Sequence, residues 1–211
     1  MPPSIRINRL KFPPQTPILP PAHRLPVYTL QHHHRALARQ LMILLLLRAL
    51  WSVVRGADSP AEGLEHWKAT VRAKFPSVPQ LSTTNLAQWI ASTNSPRPIL
   101  LDARERKEFD LSHLPGARHV DPDAKPVEVD RILAGHPGPV VVYCSVGWRS
   151  SAMAERLLAA GRTNVSNLEG SIFAWANENR PLEANGKPAQ KVHPYNKTFG
   201  ALLIPERRAK P

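Results

Sequence analysis

The sequence predicts an α/β fold of three layers: a mostly parallel central sheet with helices on both faces. Two short, wholly apolar runs carry that expectation, PILLDA at 98–103 and PVVVYC at 139–144, each read as a strand buried on both sides. Around them the apolar residues recur at spacings of three and four, so strands alternate with helices, the pattern that sandwiches a parallel sheet between helical layers. Ligands of such sheets bind at the carboxyl ends of the strands. Cys144, the one cysteine of the chain, stands at such an end.

Taken in order, residues 1–57 read as an unfolded basic leader with eight Lys or Arg, no acid and many prolines. Its run His32, His33, His34 is not a preorganised metal site, and neither a metal nor an organic cofactor is expected anywhere in the chain. Within the leader, LMILLLLRALWSVV at 41–54 is apolar, shorter than the ~20 residues a spanning helix needs, and interrupted by Arg48. Three readings stay open. It is an export signal or weak membrane anchor, with Arg35 and Arg39 as the charged flank, Met42 to Val54 as the apolar region and Gly56 and Ala57 near a cut. It is an organelle presequence. Or the start is set too early, and Met42 or a later point is the true beginning. A signal or anchor implies export or membrane tethering; otherwise the protein is expected in the cytoplasm.

Residues 58–79 hold an amphipathic helix with Leu64, Trp67, Val71 and Phe75 on one face. After QLSTT comes a second helix, capped by Thr83 or Thr84, that turns Leu86, Trp89 and Ile90 inward. The strand at 98–103 leads to a short helix around RKEFDLS, a strand at ARHVD, and a helix near VEVDRILAG ended by Gly135. The strand at 139–144 leads to a helix that begins near Ser150, buries Met153, Leu157 and Ala160, and stops at Gly161. TNVSNLEG is a short strand, and SIFAWANENR a last helix with Ile172, Phe173 and Trp175 inward. Residues 183–211 lack a clear period and read as a basic surface tail, although Tyr195, Phe199, Leu202 and Leu203 would let it drape over the domain and cover an opening.

The net charge of +12 is unevenly spread. Residues 58–180 hold 14 basic and 14 acidic side chains, so the excess lies on the two ends and not on the folded part. A basic groove for nucleic acid needs the opposite distribution, and no nucleic-acid partner is expected. A single cysteine also excludes an intramolecular disulfide and a multi-cysteine zinc site. The sequence sets no oligomeric state.

A lone cysteine is ordinarily a buried, inert thiol, and the neighbours of Cys144 argue against that. The chain must turn at once into a helix through Ser145, Val146, Gly147, Trp148 and Arg149. Gly147 permits the bend, and successive amides in such a bend form a nest for an anion. The helix start adds its positive end, and Arg149 its charge. Together they favour thiolate over thiol, the state in which cysteine is a nucleophile.

CSVGWRS resembles the active-site loop of the rhodanese family, whose single-domain members carry CxxGxR. LLDARERKEFDLSHLPGARHV resembles the family's Asp, Arg and Glu cluster and the turn after it, with Ser112 where Gly is usual. NLEGSIFAWANENRPLE resembles its closing strand and helix, with Glu169 and Gly170 in place of Gly-Gly. The resemblance covers about residues 80–180 and implies a rhodanese-like domain over 80–182, in a single-domain sulfurtransferase. It implies that Cys144 takes up a sulfane sulfur as a persulfide held by the amides of Ser145 through Arg149. Arg149, with the indole of Trp148, would meet a small anionic donor such as thiosulfate, and cyanide or a thiol would be the acceptor. Asp102 and Arg104 would support the loop from below, and His113 would be a turn residue, no base being needed. Four residues separate Cys144 from Arg149, the count the resemblance gives for sulfurtransferases against five in phosphatases of the same fold. The alternative is a rhodanese-like module that carries or senses sulfur, or binds a partner, without turnover.

Overall fold

Helix α1 (Pro60–Lys74) opens the computed structural model, which describes residues 59–134 and 138–210. Ser59 and Glu62 cap α1 reciprocally, each side chain meeting the other residue's amide. The leader, with His32 to His34 and the apolar run 41–54, lies outside the described residues, as does Gly135. Then follow β1 (Gln80–Leu81), α2 (Thr83–Ala91), β2 (Ile99–Asp102), α3 (Arg106–Leu111), β3 (Arg118–His119) and α4 (Pro126–Leu133). The second half runs β4 (Val140–Tyr143), α5 (Trp148–Ala159), β5 (Val165–Leu168) and α6 (Ser171–Asn177). It ends with the hairpin β6 (Leu182–Ala184) and β7 (Lys187–Ala189), the single turn α7 (Lys197–Gly200) and a 3-10 turn at Pro205–Arg207.

Five strands form one sheet in the order β1-β5-β4-β2-β3, every neighbouring pair parallel. The alternation of β4 divides the core. Val141 and Tyr143 face a cluster with Leu86, Ile172 and Phe173, from α2 and α6. Val140 and Val142 face another with Val129, Leu133, Met153 and Leu157, from α4 and α5. Helix α1 gives Leu64 to the first cluster and Val71 to the second. Helices on both faces of a parallel sheet make the three-layer fold expected from the two apolar runs.

Several local expectations are corrected. Ser82, extended at the helix entrance, caps α2 in place of Thr83 or Thr84, its hydroxyl accepting from the Asn85 amide at 3.1 Å. Thr83 is already helical and donates to Glu178 at 2.6 Å. Helix α4 ends with Ala134 in the left-handed region, at φ 49°. Helix α5 starts at Trp148, two residues before Ser150, because Gly147 at φ 108° turns the chain directly into it. Ala160 is exposed beyond the last turn of α5, and Met153, Ala154 and Leu157 supply its inward face.

Residues 183–210 are packed into the domain and do not lie as a surface tail. His113 and Glu183 bridge the hairpin to the turn after α3. Val192 and Leu203 are fully buried. The Arg207 guanidinium donates to the carbonyls of Ala176, Gln190 and Arg180 at 2.9–3.0 Å, which pays for its burial in hydrogen bonds. Leu202 and Phe199 pack against the first core cluster, whereas Tyr195 stays about half-exposed.

Candidate active site

The site grows from the end of β4, the central strand. Its carbonyls and those of the following loop are bound by neighbours: Ala103 donates its amide to Tyr143 at 2.8 Å, Ile172 to Cys144 at 3.2 Å and Phe173 to Ser145 at 3.1 Å. The last two amides belong to the first turn of α6, so this helix start holds the loop's outer edge. Ser171 adds its hydroxyl, which accepts from the Cys144 amide at 3.1 Å and donates to the Leu168 carbonyl at 3.0 Å.

Within that frame the Gly147 amide donates to Cys144 Sγ at 3.2 Å. Gly147 stands at the entrance of α5, and a side chain there would meet Asn167 Nδ2 at 3.2 Å besides forcing the strained φ. Burial pushes the Cys144 thiol up. The Arg149 charge, the hydroxyl and amide of Ser150 and the Gly147 amide outweigh it and hold the thiol below its ordinary value. The Ser150 hydroxyl also lies 2.6 Å from Asn167 Oδ1. Having one proton it serves one acceptor at a time, and the two amides face the sulfur in either case.

Arg149 does not stand free over the loop. Its guanidinium donates to both Glu108 oxygens, at 2.8 and 3.1 Å, and to Ser145 Oγ at 3.0 Å, with the Tyr195 ring 5.0 Å from its centre. Ser145 in turn donates to Glu108 Oε1 at 3.1 Å. Glu108, fully buried on α3, is destabilised as an anion by burial, but Arg149 holds its carboxyl below the usual range. The guanidinium expected to meet an anionic donor is thus already matched by a carboxylate.

Below the loop, Asp102 accepts from Arg104 Nε at 2.9 Å and Nη2 at 2.6 Å, and Arg104 Nη2 also reaches the Ser112 carbonyl at 2.6 Å. Both side chains are fully buried, and they fix the end of β2 to the turn after α3. His113 stacks on Phe109 at 3.9 Å, with Nδ1 2.9 Å from the Phe109 carbonyl, and His119 Nε2 lies 2.9 Å from the Arg104 carbonyl. Neither ring lines the cavity over Cys144.

That cavity, of about 270 Å³, is lined by Cys144, Ser145, Val146, Trp148 and Arg149 from the loop and by Trp67, Tyr195 and Phe199 from elsewhere. Val146 is mainly a core residue. The Trp148 indole stands at the rim, edge-on to Trp67 at 6.4 Å and to Phe75 at 5.4 Å.

The sequence profile of the rhodanese-like domain matches residues 82–178, from the cap of α2 to the end of α6. A sulfurtransferase of Allochromatium vinosum is 30% identical over 107 residues, which cover 51% of this chain and 96% of that protein. The chain belongs to the rhodanese family. The chain is also similar to the adenylyltransferase and sulfurtransferase uba4 of Pyricularia oryzae, 31% identical over 102 residues. The match covers 39% of this chain and only 21% of that longer protein. Among solved structures, a thiosulfate sulfurtransferase from Pseudomonas aeruginosa aligns with 69% of this chain and 27% of its own, at 22% identity and a TM-score of 0.49.

Sequence reasoning missed four contributors to the site: Glu108, Ser150, Ser171 and Trp67. Glu108 had a signal, since it lies in the stretch that resembles the family's acidic and basic cluster. Ser150 had a weaker one in its place on the first turn of α5. Trp67 and Ser171 approach only through the folding of distant segments.

Proposed function

We propose that this rhodanese-like protein is a sulfurtransferase that carries sulfane sulfur on Cys144 as a persulfide. The observation that carries the reading is the placement of Sγ on the Gly147 amide at the start of α5, beside the Arg149 charge. Loading begins with attack of the Cys144 thiolate on the outer sulfur of the donor. A bond forms between Sγ and that sulfur, the donor's own sulfur bond breaks, and the electron pair leaves with sulfite when the donor is thiosulfate, or with a thiolate when it is a persulfide. Discharge reverses the sense: cyanide or a thiol attacks the outer sulfur and Cys144 departs as thiolate. No proton transfer is needed in either half, which leaves His113 and His119 to the hydrogen bonds they already make. The amides that favour the thiolate also suit the anionic persulfide that follows it. Asp102 and Arg104 keep the floor of the loop fixed.

The test is turnover by the full chain with thiosulfate or glutathione persulfide as donor and cyanide as acceptor, followed as thiocyanate. Activity is expected in the native protein and not in Cys144→Ser, whose hydroxyl cannot hold sulfane sulfur. Loading without release would make the protein a sulfur carrier instead.

A further inference from the structure

The cavity over Cys144 takes part of its wall from outside the segment that matches the rhodanese-like domain. Trp67 comes from α1, and Tyr195 and Phe199 from the C-terminal residues that fold back across the domain. These rings are packed on one another and on the loop: Trp67 lies 5.0 Å from Phe199 and 6.4 Å from Trp148, and Tyr195 lies 5.6 Å from Phe199. Four aromatic side chains therefore line an open cavity together with Cys144. Among the described residues that line it, Arg149 is the one cation, and its guanidinium is engaged by Glu108 and Ser145 and faced by Tyr195. A small dianion entering this space would shed water without gaining an unmatched positive charge. A singly charged donor with a flat apolar body would bury that body against the rings.

We propose that the site selects an organic sulfur donor, a persulfide or thiosulfonate whose sulfane sulfur is attached to an aromatic or similarly flat apolar group, with Trp67, Tyr195 and Phe199 setting that preference. The inference rests on the persulfide reading of Cys144 and narrows its donor. The Cys144 thiolate forms a bond to the terminal sulfur, the donor's bond to that sulfur breaks, and the electron pair leaves as an organic thiolate or, from a thiosulfonate, as a sulfinate.

Benzenethiosulfonate and methanethiosulfonate test it, since they share charge and reacting group and differ in the apolar body. Loading of Cys144 in the full chain is followed by intact mass, and the ratio of the two rate constants is divided by the same ratio for a small free thiol in solution. Burial of the ring predicts a normalised ratio of about ten or more, falling toward one in Phe199→Ala and in Tyr195→Ala. Being a ratio, it is insensitive to a loss of folded protein, and the half-exposed Tyr195 serves if the Phe199 variant does not fold. A ratio near one in the native chain overturns the preference and leaves the persulfide reading standing. A high ratio that neither variant lowers overturns the assignment of the walls. Failure of both thiosulfonates, thiosulfate and glutathione persulfide to load Cys144 overturns the persulfide reading, and the preference with it.

Discussion

Three donors and one cation decide the state of Cys144, and the Ser150 hydroxyl among them can be removed by substitution while the amides stay. The thiol is held low against its own burial, so the thiolate persists above a midpoint that lies below the ordinary thiol value and is lost as pH falls through it. Removing a donor must move that midpoint up. Ser150→Ala is therefore expected to shift the pH profile of Cys144 alkylation to higher pH; an unmoved profile would mean that the hydroxyl serves Asn167 alone. Glu108→Gln should act in the opposite sense, because the carboxylate that offsets Arg149 is gone and the guanidinium charge acts on the sulfur alone. The same change leaves a partly buried cation without its counter-charge and is expected to cost roughly 3 kcal/mol of stability in urea unfolding. Of these residues, Cys144, Gly147 and Arg149 were legible in the sequence because strand, bend and helix start follow one another without a gap. Glu108 was not assigned a role because its partner lies 41 residues along the chain.

At the level of elements, the turn from β4 into α5 depends on one backbone conformation. Gly147 at φ 108° brings its amide to the sulfur and admits Trp148 as the first helical residue. Gly147→Ala is expected to lower stability by about 1–2 kcal/mol and to slow sulfur loading of Cys144, measured together by urea unfolding and intact mass. An unchanged loading rate would show that the Gly147 amide is dispensable. The strands β2 and β4 were readable as apolar runs because both their faces are covered. Strand β1 was not, since two residues carry no period and its place beside β5 is a tertiary contact. The start of α5 was misplaced for a related reason: Trp148 and Arg149 read as loop chemistry, and the positive φ of Gly147 is what lets a helix begin so early.

Across the whole molecule, the C-terminal residues complete both the core and the cavity. Their sequence has no helical or strand period because they are held by separate tertiary anchors, Val192 and Leu203 in the first core cluster and Arg207 on the carbonyls of Ala176 and Arg180. Such anchoring cannot be read from local spacing. Leu203 is fully buried, so Leu203→Ala is expected to destabilise the protein by about 3 kcal/mol in urea unfolding, whereas a surface tail would lose less than about 0.5 kcal/mol. The charge distribution was legible at this scale, with a neutral middle between basic ends, because counting charges requires no contacts. Whether Cys144 carries sulfane sulfur is read from the intact mass of the full chain before donor, after thiosulfate or glutathione persulfide, and after cyanide. A gain of one sulfur atom that cyanide removes, and that Cys144→Ser does not show, is the predicted result; no gain with either donor, or the same gain in the Ser variant, would contradict it.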